Sequence, residues 1–374
     1  MVKSTLNIQS VTATKAANTI INFFSSINRI DDYFRLRKIE RIKNLPASIP
    51  GFDLEDEIFQ NYEMSPDDMD IDVTQTDNKT FDTLLEKTAS FSPDQAPGKE
   101  LKLVIKEKNT NTILGFIKLG SPIINSKPRN NFLGDVPELT IFNQRAIMGF
   151  VIVPVQPFGF NYLGGKLMAL ICTSHKVREM LNEKYNTEFC LFETTSLYGN
   201  IKGMSMYDGL KPFLRFKGDT ISKFVPTLGE EAYFSCKKII EDDVQDDIIH
   251  KDASSRKLKI TSKMISLVKT SLKETDIVLH DKFVSAIKKA EGVTTQKRFY
   301  MSDYGYENAR DVLLGKTETL IKGPNYHKHD LENIISWWKR KATSRYNKLK
   351  EQNKVRNELE VWNKDTMNTI DIIR

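Results

Sequence analysis

Val153-Pro154-Val155-Gln156-Pro157-Phe158-Gly159-Phe160-Asn161-Tyr162-Leu163-Gly164-Gly165-Lys166-Leu167 is the stretch that decides how this chain is read. Just before it, Met148-Gly149-Phe150-Val151-Ile152-Val153 is a continuous apolar run, the signature of a strand buried on both faces. After it, Leu163, Leu167, Leu170, Ile171, Ser174, Val177 and Leu181 recur on one helical face. A buried strand therefore passes through a Gly- and Asn-containing loop into a helix. The first N–H groups of such a helix and the positive end of its dipole suit a phosphate or pyrophosphate. Gly164 and Gly165 would let a ligand approach the backbone, with Asn161, Tyr162 and Lys166 completing the candidate loop. The plainer alternative is a junction whose glycines serve packing alone.

Working outward, Leu101, Leu103 and Ile105 alternate with other residues, Asn109-Thr110-Asn111-Thr112 turns the chain, and Ile113 to Leu119 returns, which predicts a hairpin. Cys190 to Thr195 and Phe213 to Lys217 are the next expected strands. The order is hairpin, buried strand, helix, strand, short helix, strand. It predicts an α+β core over residues 99–236, with a mixed central sheet and flanking helices. Residues 1–50 are expected to form a basic helical arm, with helical spacing over 13–44 closed by Pro46 and Pro50. Residues 51–98 are expected to be an acidic linker whose composition disfavours folding, ending in a Pro/Gly cluster at 93–98, and residues 237–374 a charged helical region.

Charge is unevenly spread. Residues 52–94 hold 13 acidic and 2 basic side chains, so against a total of +6 the rest of the chain carries +17. Such separation suggests basic surfaces for phosphates beside an acidic segment, either as solvated linker or as a shield over those surfaces. No run reaches the ~18 apolar residues of a membrane span. The N-terminus lacks the apolar core of a secretory signal. Cys172, Cys190 and Cys236 form no CxxC pair, and a reducing cytoplasm fits them.

Glu193, near the end of an expected core strand, would serve as a general base if burial raised its pKa; a strand-end salt bridge is the bland reading. Arg129 would grip a phosphate or carboxylate in two-pronged fashion. Cys172-Thr173-Ser174-His175 and His327-Lys328-His329 would each be half of a metal site, but neither has a second half, so no metal is expected. The final helix, starting after Asp330, buries Leu331, Ile334, Ile335, Trp338 and Ala342. Over residues 339–356, Lys339, Arg340, Lys341, Arg345, Lys348, Lys350, Lys354 and Arg356 face a single acid, Glu351. Trp337 and Tyr346 add rings on which bases would stack, making this helix the candidate nucleic-acid surface.

The order of elements and the strand–helix junction resemble the GNAT acyltransferase superfamily, whose acyl-CoA pyrophosphate sits on a Q/R-x-x-G-x-G/A loop. Aligned here, that loop falls on Phe160 to Gly165, with Phe160 at its first position and Leu163 at its middle glycine. The resemblance implies acetyl-CoA or another acyl-CoA on Asn161–Gly165, and in Tyr207 the acid for a departing thiolate. Leu114-Gly115-Phe116-Ile117-Lys118-Leu119-Gly120-Ser121-Pro122, Pro128-Arg129-Asn130, Leu163 to Leu167, and Phe192-Glu193-Thr194-Thr195-Ser196 with Tyr207 resemble the DruA-like proteins of the Druantia anti-phage system. In that family an Asp usually follows the Arg, where this chain has Asn130. That resemblance implies DNA-centred conflict between phage and host. Three functions are expected in turn: acyl transfer to a base or a DNA-bound protein, with a target base flipped from the stack; DNA binding without catalysis; or Mg²⁺-dependent nuclease action.

Overall fold

The apolar runs between residues 100 and 154 form strands as the sequence predicts, and they make the centre of a seven-stranded mixed sheet. The computed structural model describes residues 7–44, 54–90, 98–196, 205–220, 227–245, 248, 256–293 and 297–370. In chain order the elements are α1 (Ser10–Ser25), α2 (Ile30–Lys43), β1 (Ile71–Gln75), α3 (Asn78–Thr88), β2 (Glu100–Glu107), β3 (Thr112–Gly120), α4 (Lys127–Leu133), α5 (Leu139–Arg145), β4 (Ala146–Pro154) and α6 (Phe158–Asn161). There follow α7 (Gly164–Ile171), α8 (His175–Tyr185), β5 (Leu191–Ser196), β6 (Arg215–Asp219), α9 (Glu230–Val244), α10 (Arg256–Thr275), α11 (Ile277–Glu291), β7 (Arg298–Ser302), α12 (Ala309–Leu313) and α13 (Leu331–Glu351). The fold class is α+β.

The chain divides into two compact units. One is helical and contains α1, α2, α9, α10 and α11; the other holds the sheet and the remaining helices. In the helical unit, α1 packs on α9, α10 and α11 and buries Ala13, Ala16 and Ala17, whose small side chains allow close helix approach, together with the larger Ile20 and Phe24. The helical spacing expected across 13–44 is broken at residues 26–29, where the Asp32 carboxylate accepts the Asn28 and Arg29 N–H groups and starts α2 afresh.

The sheet order is β1-β2-β3-β4-β5-β7-β6. Among the seven named strands of the described residues only β4 and β5 run parallel to each other, and the other neighbouring strands pair antiparallel. The β2–β3 turn passes through Asn111 at φ 55°, a left-handed conformation that Asn tolerates. A parallel pair needs a crossover, and α7 and α8 supply it. The sequence predicts one helix across this span. It is interrupted after Ile171, and the Ser174 hydroxyl caps α8 by accepting the Val177 N–H. Gly115 lets α7 close on the sheet: a Cβ there would lie 2.5 Å from the Met168 sulfur and 2.7 Å from the Val153 carbonyl oxygen.

Two expectations change. Residues 51–98, expected as an acidic linker, contain an edge strand and a helix: β1 pairs with β2 through Ile71↔Glu107 and Val73↔Ile105, and Phe81 of α3 meets Phe116 edge-on at 5.3 Å. The apolar residues Ile71, Val73, Phe81 and Leu84 are buried, while the acids Asp77 and Asp82 beside them are exposed. The C-terminal region, expected to be helical, supplies β7, inserted between β5 and β6. The Pro/Gly boundary at 93–97, Pro46, Pro50 and Asp246–Asp247 lie outside the described residues.

Candidate functional site

The strand–helix junction is built inward. Asn161 is fully buried; its Nδ2 donates to the Arg356 carbonyl at 2.8 Å and its Oδ1 accepts the Arg356 N–H at 3.1 Å. Tyr162 stacks on Tyr346 with ring centres 4.9 Å apart, and both hydroxyls donate to the Tyr62 carbonyl. Trp338 Nε1 donates to the Tyr162 carbonyl at 2.9 Å. Gly164 accommodates Phe158, whose ring carbons would lie 2.7 Å from a Cβ. Gly165 is buried as well. The Asn161 and Tyr162 side chains and the space at Gly164 are thus committed to internal contacts. Asn161, Tyr162, Gly164 and Gly165 do not form a cradle that fits an acyl-CoA pyrophosphate. Tyr346, expected as a stacking platform, is buried in the same cluster.

Glu193 and Arg129, singled out separately in the sequence, meet in the interior. Arg129 Nη1 donates to Glu193 Oε1 at 3.1 Å and Oε2 at 3.3 Å, and to the Ile123 carbonyl; Nη2 donates to the Ile124 carbonyl. The Phe142 ring lies 4.1 Å from the guanidinium carbon. Both side chains are out of contact with water, so Arg129 cannot reach a polynucleotide. Loss of hydration raises the Glu193 pKa to about 7, against the downward pull of Arg129.

Tyr207 lies on the other face of the sheet. Opposite residues of paired strands share a face and neighbours along a strand alternate. Glu193 is opposite Met301 and Thr194 opposite Tyr300, so Glu193 and Tyr300 project to different sides. Tyr207 packs edge-on against Tyr300, with ring centres 5.5 Å apart. The fold therefore separates the expected base from the expected acid.

On the Tyr300 face, beside the first turn of α7, a polar cluster assembles. Asp208 Oδ1 accepts from Tyr300 Oη at 2.8 Å and from Arg298 Nη2 at 3.1 Å, while Arg298 Nε donates to Tyr300 Oη. Lys166 Nζ donates to the Asp208 carbonyl at 3.0 Å. Burial lowers the Lys166 pKa; the Asp208 charge opposes this and Lys341 adds to it. Lys166 was expected at this junction; Asp208, Arg298 and Tyr300 were not. Arg298 and Tyr300, two residues apart on β7, share a strand face, but Phe299, Tyr300 and Met301 run together without the period-two alternation that would have shown it in the sequence.

On α13 and just beyond it the expected cations divide. Lys339 donates to the Asp67 carbonyl, Lys350 pairs with Glu63 at 3.3 Å, and Arg356 pairs with Glu360 at 2.9 Å. Arg345 lies 5.0 Å from the centre of the Phe160 ring, and Arg356 lies 4.2 Å from it. Arg340, Lys341 and Lys348 are exposed and join no ion pair among the described residues. Trp337 is half-buried, edge-on to Phe213. Among the described residues no three His, Cys, Asp or Glu side chains converge, and no helix is long and apolar enough to cross a membrane.

These features define an α+β protein with one β-α-β crossover, a sealed Arg–Glu pair on one face of its sheet and a basic helix packed on the crossover helix. The family model of the Druantia protein DruA matches residues 52–205, a span that contains β1 to β5. That span includes Arg129, Lys166 and Glu193 and ends before Tyr207, Asp208, β7 and α13. Comparison with curated proteins gives no match, and comparison with solved structures gives none.

Proposed function

We propose that this protein is a DNA-binding component of an anti-phage defence system, and that α13 presents its DNA surface. The observation that carries the reading is the set Arg340, Lys341 and Lys348: three exposed cations on one helix, none held by an acid among the described residues. An unpaired cation array of this kind gains affinity by releasing counterions from a phosphate backbone. Trp337 and Lys341, four residues apart, lie together on the helix surface and add a ring beside the charge. The match to the Druantia protein DruA supports the defence setting.

The geometry favours binding over acyl transfer, because Glu193 and Tyr207 occupy opposite sheet faces and the Asn161–Gly165 loop is packed with aromatic rings. It favours binding over Mg²⁺-dependent cleavage in so far as the described residues bring no three carboxylate, His or Cys side chains together. The test is titration of a fluorescent duplex with the wild-type protein and with an Arg340→Gln/Lys341→Gln/Lys348→Gln variant. We expect the wild type to bind and the variant to bind at least a hundredfold more weakly, roughly, with an unchanged melting temperature. Equal affinity in the two proteins would refute the reading.

A further inference from the structure

β6 closes the sheet at one side, so no further strand of the described residues flanks it. In the β6–β7 register Phe216 stands opposite Tyr300, and Arg298 lies two residues from Tyr300 on the same strand. All three side chains therefore share one face of the sheet. Tyr300 is sealed, 1% exposed, while Phe216 is 41% exposed. A lone phenylalanine at the surface is ordinary, but this one has a fixed partner. The Arg298 guanidinium carbon lies 4.1 Å from the centre of the Phe216 ring, close enough to cover its face. Tyr300 is tilted against the same ring at 5.7 Å. The guanidinium is held in turn: Nε donates to Tyr300 Oη at 2.9 Å, and Nη2 to Asp208 Oδ1 at 3.1 Å. Tyr300 Oη closes the triangle on Asp208 Oδ1, and Asp208 Oδ2 accepts the Ser205 N–H. Both carboxylate oxygens are thus spent on support. Arg298 Nη1 donates to none of the described residues.

An exposed ring beside a fixed, partly used guanidinium suits a ligand with a flat face and in-plane acceptors. An apolar side chain laid there would desolvate Nη1 without pairing it. A phosphate would meet the carboxylates of Asp208 and Asp219, the latter opposite Arg298 on β6. A nucleobase meets both demands, since its face stacks on the ring and its edge accepts from Nη1. In a duplex that face is already covered by neighbouring bases. We propose that Phe216 and Arg298 form a stacking platform for an unpaired base of a bound single-stranded polynucleotide. This site rests on the DNA-binding reading and deepens it, by giving the protein a contact with bases besides the backbone contacts of α13. Phe213, edge-on to Trp337 of α13, comes two residues before β6 and ties the platform to that helix. Because Tyr300 and Asp208 set the guanidinium before any ligand arrives, little order has to be gained on binding.

The test is titration of a fluorescent single-stranded oligothymidylate, and of an abasic strand of equal length, with the wild type, Phe216→Leu and Phe216→Trp over a range of salt. Duplex binding is measured alongside. Stacking of one base predicts a roughly tenfold loss with Phe216→Leu, at unchanged salt slope, melting temperature and duplex affinity. Phe216→Trp, which keeps an aromatic face, restores the affinity, and all three proteins bind the abasic strand equally. Equal affinity of the wild type and Phe216→Leu for oligothymidylate, with duplex binding intact, would overturn the platform and leave the DNA-binding reading standing. A loss that extends to the abasic strand, or that lowers the slope, would place Phe216 against the backbone and likewise overturn it. Thymidine monophosphate bound by the wild type and lost in Phe216→Leu, with oligothymidylate affinity unaltered, would assign the platform to a free nucleotide instead. A wild type that binds neither single strand nor duplex would overturn the underlying reading and the platform together.

Discussion

Glu193 has a carboxylate that the fold closes off from water, and among the described residues its only side-chain partner is one guanidinium nitrogen of Arg129. Its pKa of about 7 stands above the ordinary 4.5, so the folded state holds a proton that the unfolded chain has released between those values. By linkage, this group's contribution to stability is full below pH 4.5 and is lost as the pH rises through 7. The loss is of the order of 3 kcal/mol. Denaturant unfolding at pH 5 and pH 8 will show the fall in the wild type and a flatter profile in Glu193→Gln; equal slopes would contradict the assignment. Arg129→Met leaves the buried carboxylate alone and is expected to cost about 3–5 kcal/mol at neutral pH, less at pH 5. Each residue was visible in the sequence by type and position. Their partnership was not, because it joins α4 to β5 across 64 residues and depends on which face Glu193 takes. The same alternation put Tyr207 with Tyr300 rather than with Glu193.

Among the elements, those with long unbroken patterns were readable. The β2–β3 hairpin, β4 and β5 fall where apolar alternation or continuity put them. β1 and β7 are five residues each and lie among charged residues, so local pattern could not single them out. β7 enters the sheet only because β5 and β6 leave a place for it between them. The junction before α7 was legible as a strand–helix turn, but not what its glycines serve. Packing on Phe158 explains Gly164, and Gly164→Ala forces a Cβ to 2.7 Å from that ring. We expect a loss of roughly 1–3 kcal/mol in unfolding free energy. Calorimetry with acetyl-CoA should give no heat for either protein. Saturable acetyl-CoA binding that Gly164→Ala abolishes would reverse this account of the loop.

At the scale of the whole molecule, the charge separation seen in the sequence is used within one unit. The segment expected as a free acidic linker folds against α13: Glu63 pairs with Lys350, and the Asp67 carbonyl accepts from Lys339. One flank of the helix is thereby occupied, while Arg340, Lys341 and Lys348 stay exposed. Of the acids in that segment Glu63 takes one cation of the helix, and Asp67 contributes its main-chain carbonyl rather than its charge. Composition alone could give the sign and size of the imbalance but not which cations were spent. The most direct test is the salt dependence of duplex binding, wild type against Arg340→Gln/Lys341→Gln/Lys348→Gln. The account predicts a linear log–log plot whose slope falls by about 2.7 in the triple variant, roughly 0.9 per lost phosphate contact. An unchanged slope and affinity would show that α13 does not carry the DNA.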